Sequence, residues 1–477
     1  MRPKTTRPSR HGAGAASLPH LLALLALGAV ALGAGPGPQR SSAEIATLLA
    51  TGPHAGACDA CHVAHGQPGE LPELHALVGP DDNSLCDRCH TIPWSGGSYP
   101  GPLVYSRSSH GSSGSAIWPG PTPPTRTEPG AAGKCLNCHD PHGRTDGQGA
   151  IPRLALAREE ALCFTCHDGS PAQTDIRSEY LRTYRHPTGS LTGLHTGPTE
   201  SLPTDFGAAP LNRRHAECED CHNSHLAYHD PAGPPFGSDI SKRNLGVSRL
   251  RVQNGGPGAP PTFTFVAAAD TLSPALAEYE LCFKCHSSWT SQPTGQTDLA
   301  RVLNPANPSY HPVEAPGRNP TIRLGAFTAG WSPSSTTRCG SCHGSDAGAT
   351  EGPHGSSYRY ILKQPYTASS NRRSMLPDES CFACHAYDVY ANASSPSTTL
   401  ANSRFNKPGA DKGHAHHVDE ERVPCYACHT THGSTTLPRL LVTGRSPGIR
   451  SVTVTATGGT CAPTCHGSES YTVNYAR

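Results

Sequence analysis

Methionine is nearly absent from this chain: there are 2 among 477 residues, one of them the initiator. That scarcity excludes thioether side chains as recurring metal ligands. Aromatic residues make up 6 % and the whole apolar set 35 %, while 50 glycines and 47 prolines fill about a fifth of the chain. A chain so short of apolar side chains and so rich in loop formers does not offset its backbone entropy by burial alone. Long hydrophobic runs are missing after the N-terminal region, which excludes a later membrane-spanning helix. Neither sign of charge is in excess: the net charge is +1, which argues against nucleic acid or an anionic membrane as the main partner.

Cysteine is abundant, and none is spare. All 20 fall into ten pairs, each followed directly by a histidine. The first five are Cys58/Cys61/His62, Cys86/Cys89/His90, Cys135/Cys138/His139, Cys163/Cys166/His167 and Cys218/Cys221/His222. The other five are Cys282/Cys285/His286, Cys339/Cys342/His343, Cys381/Cys384/His385, Cys425/Cys428/His429 and Cys461/Cys465/His466. Nine read C-x-x-C-H, and the last has one extra residue. No thiol is left for a disulfide or a lipid anchor.

In C-x-x-C-H the two thiols add to the two vinyl groups of one porphyrin, and the histidine takes an axial position on its iron. A structural zinc ribbon also uses C-x-x-C pairs, but it needs two pairs per ion and no histidine after every second cysteine. Ten motifs therefore predict ten haems, numbered here in chain order. At the tenth, Pro463 and the extra residue must bulge without moving the sulfurs. Ten porphyrins also supply the apolar mass that the side chains lack, so the haems are expected to be the core.

Five copies of a paired unit organise the chain. The clearest reads CLNCHDPHG, IPRLAL and LCFTCH between Cys135 and His167. The first reads CDACHVAHG, ELHALV and LCDRCH; the fifth reads CYACHTTHG, LPRLLV and CAPTCH. The third has CEDCHNSH, an insert and LCFKCH, while in the fourth His354 replaces the missing nearby histidine. The paired motifs are 28, 28, 64, 42 and 36 residues apart, so insertions sit between them. Such a repeat predicts a modular array with units at 44–105, 106–182, 183–305, 306–400 and 401–477. The unit resembles the doubled C-x-x-C-H module of multihaem cytochromes c over about residues 54–466. The resemblance implies covalently attached haem c and electron transfer in the periplasm or outside the cell.

The second axial ligands follow from counting. Of 28 histidines, ten are proximal, and His11 and His20 fall in the N-terminal region. Each unit offers two well-placed candidates. One follows the first motif by three residues or replaces that residue: His65, His142, His225, His354 and His432. The other lies upstream: His54, His110, His186, His311 and His417. His75, His195, His215, His229, His414 and His416 are surplus, although His215 competes with His186, and His414 or His416 with His417. On a helical turn His139 and His142 would be neighbours about 5–6 Å apart, on one side of the porphyrin. His142 must then ligate a different haem, and the same holds for His65, His225 and His432.

Residues 1–34 read as an export signal. Arg2, Lys4, Arg7 and Arg10 precede the apolar run Leu21 to Leu32 and the small residues at Gly33 to Gly35. The expected protein is a secreted carrier or conduit, periplasmic or at the cell surface, handing electrons to redox partner proteins or extracellular acceptors, and not an enzyme. The alternative is a reductase with an open haem iron, but no C-x-x-C-K motif occurs. A head-to-tail filament is a further possibility, with His54 reaching a haem of the next copy; otherwise His54 serves its own unit. The expected fold is mostly irregular and low in secondary structure: an elongated, haem-cored modular array with short helical turns at the attachment motifs. Strand-like stretches occur at Thr262 to Val266 and Ser451 to Thr455.

Intact-mass measurement of the mature protein should show ten covalently added haems. Replacing Cys461 and Cys465 by alanine should remove one haem only; an unchanged mass would refute attachment there.

Overall fold

The computed structural model describes residues 54–63, 77–90, 101–119, 131–188, 216–228, 237–266, 277–405 and 413–472, apart from positions 148, 238, 291, 293, 294, 320 and 349. The export-signal region lies outside the described residues, as do His65, His75, His195, His215 and His229. By contact clustering the described residues belong to one unit, Arg40–Arg477. Among the described residues no helix is long and apolar enough to cross a membrane.

The chain is organised by its attachment motifs. Cys58–Cys61, Cys218–Cys221 and Cys339–Cys342 are single α-turns, and Cys135–Asn137, Ser380–Ala383 and Cys425–Ala427 are 3₁₀ turns. The second motifs of the first three units lie on or at the end of Asn83–Asp87, Glu159–Phe164 and Glu278–His286. The last of these is the longest helix among the described residues, at nine. Each α-turn stops because the chain is extended at the following histidine, with ψ of 147° at His62, 140° at His222 and 125° at His343. The histidine thereby leaves the helix axis instead of continuing it.

What the extended histidine pairs with explains the Leu-rich stretch of the repeat. Isolated antiparallel bridges join His62 to Leu77, His139 to Ala155, His343 to Leu362 and His429 to Leu441. In three units the approach is made through two consecutive left-handed residues: Arg153 and Leu154 (φ 58° and 55°), Tyr360 and Ile361 (66° and 53°), and Arg439 and Leu440 (58° and 57°). Non-glycine residues adopt this conformation at a cost of about 1–3 kcal/mol each, so it persists only where surrounding contacts hold it. Those contacts are the amides of Asp140, Gly344 and Thr430, which donate to the carbonyls of Leu154, Ile361 and Leu440 at 2.7, 2.7 and 2.8 Å.

Neighbouring units are joined by short antiparallel ladders. Tyr184–Arg185 pairs with Gly355–Ser356, and Ser309–Tyr310 pairs with Gly433–Ser434. Both glycines directly follow the histidine of their unit, and neither tolerates a side chain. A Cβ on Gly355 would meet the Glu179 carbonyl oxygen at 1.9 Å, and one on Gly433 the Val302 carbonyl oxygen at 1.8 Å.

Two features depart from the expected fold. The tenth motif has no helical turn: Cys461 lies in the strand Gly458–Pro463, the middle of a three-stranded sheet with Ile449–Thr455 and Glu469–Thr472. The extra residue is absorbed by a register shift between Ala462 and Pro463, where proline has no amide to give the ladder. The third unit also builds a core of protein alone, because its long insert brings in the hairpin Arg249–Gln253/Thr262–Val266. Leu250, Phe283, Ala300, Leu303 and Val313 are buried there, and Phe265 stacks on Trp289 at 5.6 Å.

Gly355→Ala and Gly433→Ala should each lower stability by about 2 kcal/mol or more, read as a lower guanidinium midpoint. Gly114→Ala, whose Cβ meets nothing within 4 Å, should leave the midpoint unchanged.

Candidate haem-binding sites

The histidines meet in pairs. The proximal rings His62, His90, His139, His167 and His222 face His142, His54, His225, His110 and His354, with ring centres 5.8, 6.2, 6.0, 6.0 and 6.1 Å apart. His286, His343, His429 and His466 face His186, His432, His414 and His417 at 6.2, 6.2, 6.2 and 6.4 Å. An imidazole nitrogen binds a metal at about 2.0–2.1 Å and lies roughly 1 Å from its ring centre, so two rings on one ion sit about 6 Å apart. The interplanar angles run from 5° to 88° while the distances hardly vary. A fixed separation with free rotation is what two ligands on one axis produce, and stacking contacts do not. His385 completes the set: its foremost electrostatic neighbour is His311.

The chemistry of these rings suits iron. A carbonyl can only accept, so an Nδ1 bonded to one carries the hydrogen and leaves the Nε2 lone pair free for metal. Proximal His139, His222, His343 and His429 donate in this way to the carbonyls of Arg153, Arg243, Tyr360 and Arg439 at 3.0, 3.0, 2.8 and 3.0 Å. Three of the four acceptors are the first residues of the left-handed turns, which gives that strain a use. The upstream histidines His54, His110 and His186 donate to Pro141, Ser224 and Pro353 at 3.3, 2.8 and 2.7 Å, and His311 donates to Thr431. Each of those carbonyls belongs to the residue just before His142, His225, His354 or His432. Burial also keeps the rings neutral, pushing His167, His286, His385 and His432 down to about 4, and His354 and His414 to about 3.

The attachment thiols form an unbroken series. Within units, Cys61 neighbours Cys86 and Cys89, Cys138 neighbours Cys166, Cys221 neighbours Cys282, Cys342 neighbours Cys381, and Cys428 neighbours Cys461 and Cys465. Between units, the Cys86 thiol lies within hydrogen-bonding reach of Cys135, Cys282 of Cys339 and Cys381 of Cys425. Cys163 and Cys218 both flank Tyr180. Glu278, Cys282 and Cys339 have ligand atoms within 4.8 Å of one another. Both thiols belong to attachment motifs, so the group is a contact between two haem sites, not a separate metal centre. One continuous cavity of 5720 Å³ is lined by nine of the ten motifs. That is about 640 Å³ per motif, within the roughly 300–1,000 Å³ of a pocket for one small molecule or cofactor. The residues present therefore fit haem.

The assignment departs from the sequence reading at one ligand. His414, counted there as surplus, faces His429, and His417 faces His466. His416 instead bonds Glu420 at 2.6 Å. His65, proposed as a ligand, lies outside the described residues, and His54 faces His90 of its own unit. The reason is positional. The proximal rings of haem sites 1, 3, 5 and 7 each face a histidine of the following unit, whereas that of site 9 faces His414 in place of such a histidine. The turn at Gly413–His417 supplies it, with His417 donating to the Gly413 carbonyl, the residue before His414, at 2.9 Å. The cluster GHAHH was the signal: three histidines within four residues, directly upstream of the motif at Cys425.

Residues 128–172 match the model of the doubled CXXCH motif family. The matched stretch holds Cys135 to His139 and Cys163 to His167, so the chain contains a c-type multihaem cytochrome module with covalently attached haem c. No curated protein and no solved structure matches the chain significantly.

His414→Ala should turn one iron high-spin and open it to added imidazole, while His416→Ala should leave the spectrum unchanged. Equal spectra from the two variants would contradict the assignment of His414.

Proposed function

We propose that this protein is an exported decahaem electron conduit, with each iron closed by two imidazoles and electrons passing from haem to haem along the chain. The observation that carries the reading is the ring-to-ring pairing of nine of the ten proximal histidines with a second one, combined with attachment thiols that neighbour one another in sequence order. When bound, haem supplies an iron that takes up and releases one electron at a potential set by its ligands and surroundings.

The chain's own part is to hold, orient and separate. Histidines from one unit lock the haem of the unit before it, so spacing along the series is set by covalent and coordinate bonds. Two strong imidazole donors leave no coordination position for a substrate, so the protein is a carrier and not a reductase. Its site of work is the periplasm or the cell exterior, and its partners are redox proteins or extracellular acceptors. Head-to-tail assembly of copies into a filament remains part of the proposal. Because His54 pairs within its own unit, a junction between copies would rest on haem-edge contact and not on exchange of that ligand.

Spectra of the oxidised protein should be wholly low-spin, and cyanide or carbon monoxide should bind slowly or not at all. Rapid stoichiometric binding of either would instead support a reductase with an open iron.

A further inference from the structure

The ligand pairs of the last three haems differ in what their Nδ1 atoms touch. Haem 8 has His311 tied to the Thr431 carbonyl, but the opposite ring, His385, has a buried Nδ1 with no hydrogen-bond partner. Haem 9 repeats this, with His429 tied to Arg439 and a buried, unpartnered Nδ1 on His414. One aromatic box explains both orphans: Tyr390 lies 5.5 Å from His385 and 5.0 Å from His414, with Phe327 and Phe405 on their other sides. At haem 10 both rings are satisfied. His417 donates to Gly413 at 2.9 Å, and His466 donates to Gly467 at 2.8 Å. His466 and Cys465 are also exposed.

Each difference acts in the same direction. A hydrogen bond from Nδ1–H to a carbonyl leaves more charge on Nε2, strengthens the ligand and favours ferric iron. A ring whose N–H has no acceptor is the weaker donor. Burial in such a box disfavours the more highly charged ferric centre, whereas exposure favours it. On the basis of the relay proposed above, we infer that haem 10 has a lower potential than haems 8 and 9 and is the port at which a one-electron reductant loads the chain. In each inward step ferrous haem 10 loses one electron and ferric haem 9 gains it. No bond is made or broken, and no proton moves.

The test is a potentiometric titration of the holoprotein and three variants. Cys461→Ala/Cys465→Ala removes haem 10, and the component it deletes gives that haem's potential. His414→Met changes a ligand of haem 9 alone and identifies its component by the shift. His466→Met, which keeps both thioethers, marks haem 10 independently should the double variant fold poorly. The expected result is that the haem 10 component lies below that of haem 9 by both routes. A haem 10 component at or above that of haem 9 overturns the inference and leaves the relay intact. High-spin irons in the wild-type spectra would overturn both.

Discussion

Two imidazoles separated by only two residues cannot clasp one iron from opposite faces of a porphyrin. Everything distinctive about this structure follows from that restriction. The histidine three places after a proximal ligand has to serve another iron, and the nearest one belongs to the preceding unit. His142, His225 and His432 reach back in this way to face His62, His139 and His343, and His354 does so for His222. On the proposed ligation, coordination would staple each unit to its neighbour and give a chain with few apolar side chains its long-range order. The ladders at Gly355–Ser356 and Gly433–Ser434 run directly beside those staples, so backbone pairing and ligation reinforce one another.

The ligand chemistry was largely legible in the sequence because it is a matter of counting and spacing. The separation of a C-H-x-x-H pair onto different partners has a local cause in the chain direction. The helical turn ends at the second cysteine, and the histidine is extended, so the two rings diverge through a change of chain direction. His414 was passed over because each upstream segment was assumed to contribute one ligand.

Other features could not be read from spacing. The tandem left-handed turns at Arg153–Leu154, Tyr360–Ile361 and Arg439–Leu440 carry residues with no preference for that conformation. They are held by bonds to distant amides, which a local pattern does not reveal. Nor does a pattern distinguish an attachment motif on a turn from one on a strand. Only proline and the extra residue at Cys461–Cys465 hinted at the sheet that holds haem 10. The hairpin at Arg249–Gln253 and Thr262–Val266 was half visible as a strand-like run, but its packing on Phe283 depends on a tertiary fit.

The claim on which the account rests is that ligands are shared between successive units. Locating the ten irons by anomalous diffraction at the iron edge, together with the side chains around them, tests it most directly. The account predicts one iron midway between each named pair, with haems 1, 3, 5 and 7 each held by a histidine of the following unit and haem 9 by His414. Irons bracketed by histidines of a single unit throughout, or left with one imidazole, would contradict it.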